Sequence, residues 1–147
     1  MLTKAALALV AAAATLGPCD PSRITVHKDP GHLWAGLWGG ENAALIVDDT
    51  SAHVHIGCTY GNISGPILIG GSKFDVAGLQ NITAHPVDRG VFHPARFVGK
   101  IIGDTIRLTI TLTDTTVTLG PVTLVYNKEP KMGPCPICRR NVPMGEP

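Results

Sequence analysis

Cys135-Pro136-Ile137-Cys138 is the spacing in this 147-residue chain that speaks most directly of chemistry. Two cysteines flanking two residues make either a redox dithiol or half of a zinc knuckle. A redox pair uses a helix N-terminus in a βαβ setting to lower its thiol pKa. A knuckle needs a second ligand pair, and no C-x2-C or H-x3-H follows here. A second candidate is His53-Val54-His55, because alternate residues of a strand share a face and two imidazoles at that spacing suit a metal. Val54, Ile56 and Cys58 claim the apolar face, which turns both histidines to water. The third is the stretch 84–96 (AHPVDRGVFHPAR), the densest polar cluster in the chain, with His85, Asp88, Arg89, His93 and Arg96. Its arginines could grip a carboxylate or phosphate. The competing reading is a loop stiffened by its His-Pro pairs and a local Asp–Arg contact. Ser64 and Ser72 lack any nucleophile motif. These residues assign no catalytic group, no metal and no cofactor; the five polar residues of 84–96 are the ligand-binding candidates.

The elements that must position these groups read as strands. In 105–113, Ile106, Leu108, Ile110 and Leu112 alternate strictly with Thr105, Arg107, Thr109, Thr111 and Thr113. That period of two places aliphatics on one face and polar residues on the other, as in an antiparallel sheet with one wet side. Strand-like segments recur at 41–47, 52–58, 63–69, 74–83, 95–102, 105–113 and 116–126. Asp48 to Ser51, Tyr60-Gly61-Asn62, Gly70-Gly71-Ser72, Gly103-Asp104 and Asp114-Thr115 supply the turns between them. In the last segment Val117 and Leu119 are out of phase with Val122 and Leu124, so Gly120-Pro121 predicts a bulge. Helical periodicity is absent after residue 17. Seven or eight short sequential strands predict an all-β, small antiparallel up-and-down barrel, with a β-sandwich as the alternative.

Lys4 and the apolar run 5–16, closed by Gly17-Pro18, describe a signal peptide over residues 1–18. The run is too short for a membrane span, which takes about 20 residues. Leu16-Gly17-Pro18-Cys19 fits a lipoprotein box except at Pro18, so Cys19 is either a lipid attachment site or a structural cysteine. Residues 19–33 then form a linker, 34–128 the barrel, and 129–147 a Pro/Gly-rich tail. Without Lys4 the basic residues fall from 12 to 11, equal to the 11 acidic ones. Such a balanced chain fits neither nucleic acid nor an anionic membrane face. Membrane contact would come only through the leader or a lipid.

In an exported chain cysteines pair. Cys58 ends a strand, and a bridge to Cys135 or Cys138 would staple the tail to the barrel. A loop of that size contributes about 4 kcal/mol by chain entropy.

Gly36-Leu37-Trp38 resembles the G-x-W opening of lipocalin and avidin-type calycin barrels. That resemblance implies a barrel whose indole plugs one end, usually beneath an arginine of the last strand; no arginine occurs in 116–126. Over roughly residues 36–138, GLWGGENAALIV, HIGC, ISGPI, KFDVAG, HPARFVGKIIGDTIRLTITLTDT and the late cysteine also resemble a group of small exported bacterial β-proteins. This second resemblance implies compartment and a single β-domain and carries no catalytic residue over.

The expected function is therefore a non-enzymatic exported barrel in the periplasm, cell envelope or outside the cell, binding an unknown protein or small ligand. A calycin-like carrier of a hydrophobic molecule is the first alternative, although 5% aromatic residues is little for lining its cavity. A metal or redox protein using His53 and His55, or Cys135 and Cys138, is the second.

Overall fold

The computed structural model describes residues 31–135. The expected leader, Cys19, most of the expected linker, Cys138 and the end of the tail lie outside the described residues. Eight strands follow in order: β1 (Gly36–Gly40), β2 (Ala43–Val47), β3 (Ser51–Ile56), β4 (Thr59–Ser64), β5 (Lys73–Asn81), β6 (His93–Ile102), β7 (Thr105–Leu112) and β8 (Thr118–Tyr126). Each pairs antiparallel with its neighbour, and β8 returns to β1 to close an up-and-down barrel. Of the two architectures the sequence leaves open, this is the barrel.

Strand alternation fills the inside. Ile106, Leu108, Ile110 and Leu112 of β7 are all buried, whereas Arg107 and Thr111 between them are exposed. Trp38, Leu45, Val54, Ile63, Phe74, Phe97 and Leu124 complete a single apolar core. Phe74 fits because β6 carries Gly99 opposite it, where any Cβ would enter the phenyl ring. Each fully buried Leu, Ile or Phe is worth about 1.5–3 kcal/mol against exposure, and this is what holds so short a barrel shut.

Turns at 41–42, 57–58, 82–92 and 113–117 gather at one end of the barrel, called here the loop end. At the other, the tryptophan end, Leu33 is buried and residues 31–33 bond to 67–69, through Leu33 N to Ile67 O (2.9 Å) and Ile69 N to Gly31 O (3.0 Å). Trp38 is 1% exposed, donates its indole N–H to Trp34 O and packs against Tyr126 of the last strand at 4.9 Å between rings.

Three expectations about elements need correction. Residues 36–40 form a strand ahead of 41–47, with the turn at Glu41-Asn42, where Asn42 takes a positive φ of 54°. Residues 60–62 do not turn. Gly57 (φ 58°) and Cys58 make the hairpin instead, and Thr59 clamps it by donating to Ile56 O at 2.7 Å. Gly61 then lies inside β4 because the buried Gln80 side chain occupies the room a Cβ would take. The strand consequently ends at Ser64, and 66–69 pair with the 31–33 segment rather than continue the barrel.

The predicted bulge is present. Leu108 faces Val122 but Ile110 faces Leu119, so β8 holds one residue more than β7 around Gly120-Pro121.

Closure is thin. Only Trp38–Tyr126 and Gly39–Val125 are paired between β1 and β8. After Tyr126 the chain doubles back along β1, donating from Asn127 N to Leu37 O (2.8 Å) and from Lys131 N to Gly40 O (3.0 Å). Asn42 N returns a bond to Lys131 O, and Lys131 pairs with Glu41 at 3.0 Å. This strap ends at Cys135, disulfide-bonded to Cys58 across 77 residues. Cys58 thus sits in the hairpin rather than at the end of a strand, and of its two expected partners Cys135 takes it.

Candidate functional site

The outer wall of β3 and β4 holds the strongest concentration of chemistry. Because Ala52 and Val54 are buried inward, His53 and His55 face outward. Register places Asn62 opposite His53 and Tyr60 opposite His55. His53 Nδ1 lies 2.6 Å from Asn62 Oδ1, and its Nε2 lies 2.9 Å from His55 Nε2. A carbonyl oxygen only accepts, so His53 carries its proton on Nδ1 and presents the Nε2 lone pair to His55 Nε2–H. The imidazoles meet edge to face at 4.7 Å, and both lie beside the Tyr60 ring, at 5.7 and 6.1 Å. Burial pushes the His55 imidazole below its ordinary pKa, helped by the neighbouring His53.

Residues 82–92 fold against this wall through one carboxylate. Asp88 accepts from the Tyr60 hydroxyl (2.6 Å), Asn81 Nδ2 (2.9 Å) and Gly90 N (2.7 Å). Asn81 is fully buried, and its own oxygen takes Thr83 N at 2.8 Å. Phe92 sets its ring edge-on to Tyr60 at 5.5 Å. The Tyr60 hydroxyl, then the Gly90 amide, hold the Asp88 carboxyl below the usual carboxylate range; the same bond raises the Tyr60 phenol.

The five residues singled out in 84–96 are spread over separate contacts. Asp88 turns to Tyr60 and Asn81 rather than to Arg89. His85 is near enough to Asp88 to act on it through charge, and Arg89 is exposed. His93 opens β6 and pairs with Asp114 at 2.8 Å. Arg96 lies farther along β6, holding both oxygens of Asp75 (3.0 and 2.5 Å). The two arginines therefore do not form one anion clamp. Ser64 and Ser72 lie toward the tryptophan end, away from these histidines.

Sequence reasoning missed Tyr60, Asn62, Asn81 and Phe92. Tyr60 and Asn62 were obscured by the assignment of a turn to 60–62. Once that segment is a strand, alternation alone sends Tyr60 and Asn62 to the histidine face.

Two clefts flank the Leu33-Trp34 segment at the other end. One of about 250 Å³ has Asp48, Asp49, Pro66 and Ile67 in its wall. The other, about 200 Å³ and more apolar, is lined by Trp34, Trp38, Ile69 and Ile101. Among the described residues no group of three His, Cys, Asp or Glu side chains converges on a metal position.

Fold and site together define a small, closed, eight-stranded antiparallel barrel with a disulfide-tethered strap and a histidine–tyrosine wall. No family model, curated protein or solved structure matches the chain.

Proposed function

We propose that this protein is an exported, non-enzymatic binding barrel whose recognition face is the outer wall of His53, His55, Tyr60 and Phe92 beneath residues 82–92. The observation that carries this reading is the Asp88 anchor, which fixes a long loop against an aromatic and imidazole surface on a rigid scaffold. Loops held in this way are where proteins place recognition. Aromatic side chains such as Tyr60 and Phe92 are enriched in binding interfaces over the rest of a protein surface. The Cys58–Cys135 bridge supports an oxidising compartment, and the apolar start of the chain supports export. In this reading Cys19 is either the lipidated first residue of the mature chain or a structural cysteine, and the ligand is a protein segment or a small molecule.

The test is a panel of small aromatic and carboxylate ligands added to the oxidised protein, with amide shifts followed by NMR. Shifts gathered on β3, β4 and 82–92 are expected. A panel that leaves that wall unmoved removes the reading. Mass spectrometry of secreted material checks export separately: a chain shortened by its leader is expected, and an intact precursor in the cytosol would refute it.

The alternative, a calycin-like carrier, draws support from the buried Trp38 of the first strand and from the apolar cleft beside it. Shifts concentrated at Trp34, Trp38, Ile69 and Ile101 would favour it. Against it stands the interior, where Trp38, Phe97, Ile106, Leu108 and Leu124 occupy the space such a ligand needs.

A further inference from the structure

We propose that the facing Nε2 atoms of His53 and His55 hold a single divalent late transition-metal ion, copper(II) foremost, on the outer wall of the barrel. The inference rests on the reading of that wall as the binding face and names a ligand for it.

Three observations carry it. Strand geometry brings the two Nε2 atoms to 2.9 Å. Imidazole nitrogens bind such ions at about 2.0–2.1 Å, and two of them 2.9 Å apart then subtend roughly a right angle at the metal. That is the angle between neighbouring ligands in the tetragonal sites of copper(II) and nickel(II); a tetrahedral ion opens it wider. Next, the Nδ1–H of His53 is donated to Asn62 Oδ1 at 2.6 Å. A ligating histidine is held in this way by a partner on its other nitrogen, which fixes the tautomer and aims the lone pair. Finally, the ring pair is half-buried beside Tyr60, whose hydroxyl is committed to Asp88. The imidazoles are thus steadied on one side and open to water on the other.

The exchange balances without redox change. In the free protein the His55 Nε2 proton lies between the two nitrogens. On binding, that proton moves through solvent to His55 Nδ1, which has no hydrogen-bond partner among the described residues. Two neutral imidazoles then replace two waters of the aqua ion, and no proton is lost overall. With only two protein ligands the remaining positions keep water or take a donor from a bound molecule, so metal and ligand could share the face. For nitrogen donors affinity peaks at copper(II) along the first-row series, which is why copper and not zinc is the foremost occupant.

The experiment titrates copper(II), then nickel(II) and zinc(II), into the oxidised protein carrying no polyhistidine tag, with His53→Gln, His55→Gln, Asn62→Leu and His32→Gln alongside. Copper(II) is expected to bind as one ion per chain, with two imidazole nitrogens in its electron paramagnetic resonance spectrum. Each of the first two variants should weaken binding by at least about ten-fold, and Asn62→Leu by about ten-fold through loss of the orienting partner. His32→Gln, at the tryptophan end, should leave it unchanged. In the unmutated protein, paramagnetic broadening should centre on His53, His55, Tyr60 and Asn62, a readout independent of whether any variant folds. Broadening centred elsewhere, a single nitrogen ligand, or binding untouched by His55→Gln would overturn the proposal. Organic-ligand shifts on the same wall do not need copper, so the binding-face reading can survive that failure or fall without it.

Discussion

Asp88 shows how one side chain can position a loop. It collects a phenol, an amide NH2 and a backbone N–H, three donors from three stretches of chain. Each favours the ionised carboxylate, so its proton affinity falls on folding. A carboxyl depressed in this way stabilises the fold above its ordinary value of 3.8. The contribution fades as the pH drops through the lower folded value. We expect the amides of 82–92 to lose exchange protection on acidification before those of β7, as followed by hydrogen exchange across an acid series. Tyr60→Phe removes the largest of the three donors. The Asp88 carboxyl should then titrate closer to 3.8 in carbon-detected NMR, with the barrel otherwise unchanged. An Asp88 midpoint identical in both proteins would show that Tyr60 does not anchor the loop.

Among the elements, β7 contributes most to the core, since four of its eight residues are buried aliphatics from one face. Ile110, fully buried and flanked by the bulge of β8, has little freedom for its neighbours to collapse if it is shortened. Ile110→Ala is expected to cost about 2–5 kcal/mol in chemical denaturation. A cost below about 1 kcal/mol would mean that the site closes up after truncation. Gly99 makes the complementary point on β6: Gly99→Val would drive methyl groups into the Phe74 ring and should destabilise by overpacking of about 1–3 kcal/mol. The histidine wall depends on the same alternation, since the burial of Ala52 and Val54 is what turns His53 and His55 outward.

At the scale of the whole molecule, the weak point is the seam. Two paired positions join first strand to last, and the strap from Asn127 to Cys135 reinforces them. Gly39 permits this, because a side chain there would run into the backbone of Lys128 to Pro130. Reducing the disulfide, or Cys58→Ser, should lower stability by up to about 4 kcal/mol on the loop-entropy account. The loss should be local first. Exchange should quicken at Lys131, Gly133 and Asn42 while Ile106 and Leu108 stay protected. Uniform loosening would instead assign the bridge to the whole barrel rather than to its seam.

Much of this molecule could be read from local pattern. The β7 alternation, the Gly103-Asp104 hairpin, the Asp48 turn and the Gly120-Pro121 bulge each follow from residues adjacent in sequence, since period and turn chemistry are short-range properties. An outward His53 and His55 follow from the same rule. Cross-strand register did not. Tyr60-Gly61-Asn62 has the composition of a turn, and only Gln80, nineteen residues beyond Gly61 in sequence, explains why a glycine belongs in that strand. The grouping within 84–96 misled for the same reason, because closeness in sequence is not closeness in space. Barrel closure sends Asp88 to Tyr60, His93 to Asp114 and Arg96 to Asp75. Strands, their faces and the candidate disulfide partners were thus legible in the order of residues. Tertiary structure decided which strand edges meet, which cysteine takes Cys58, and that two imidazole nitrogens end 2.9 Å apart, because pairing across a closed sheet is set by the packing of the whole core.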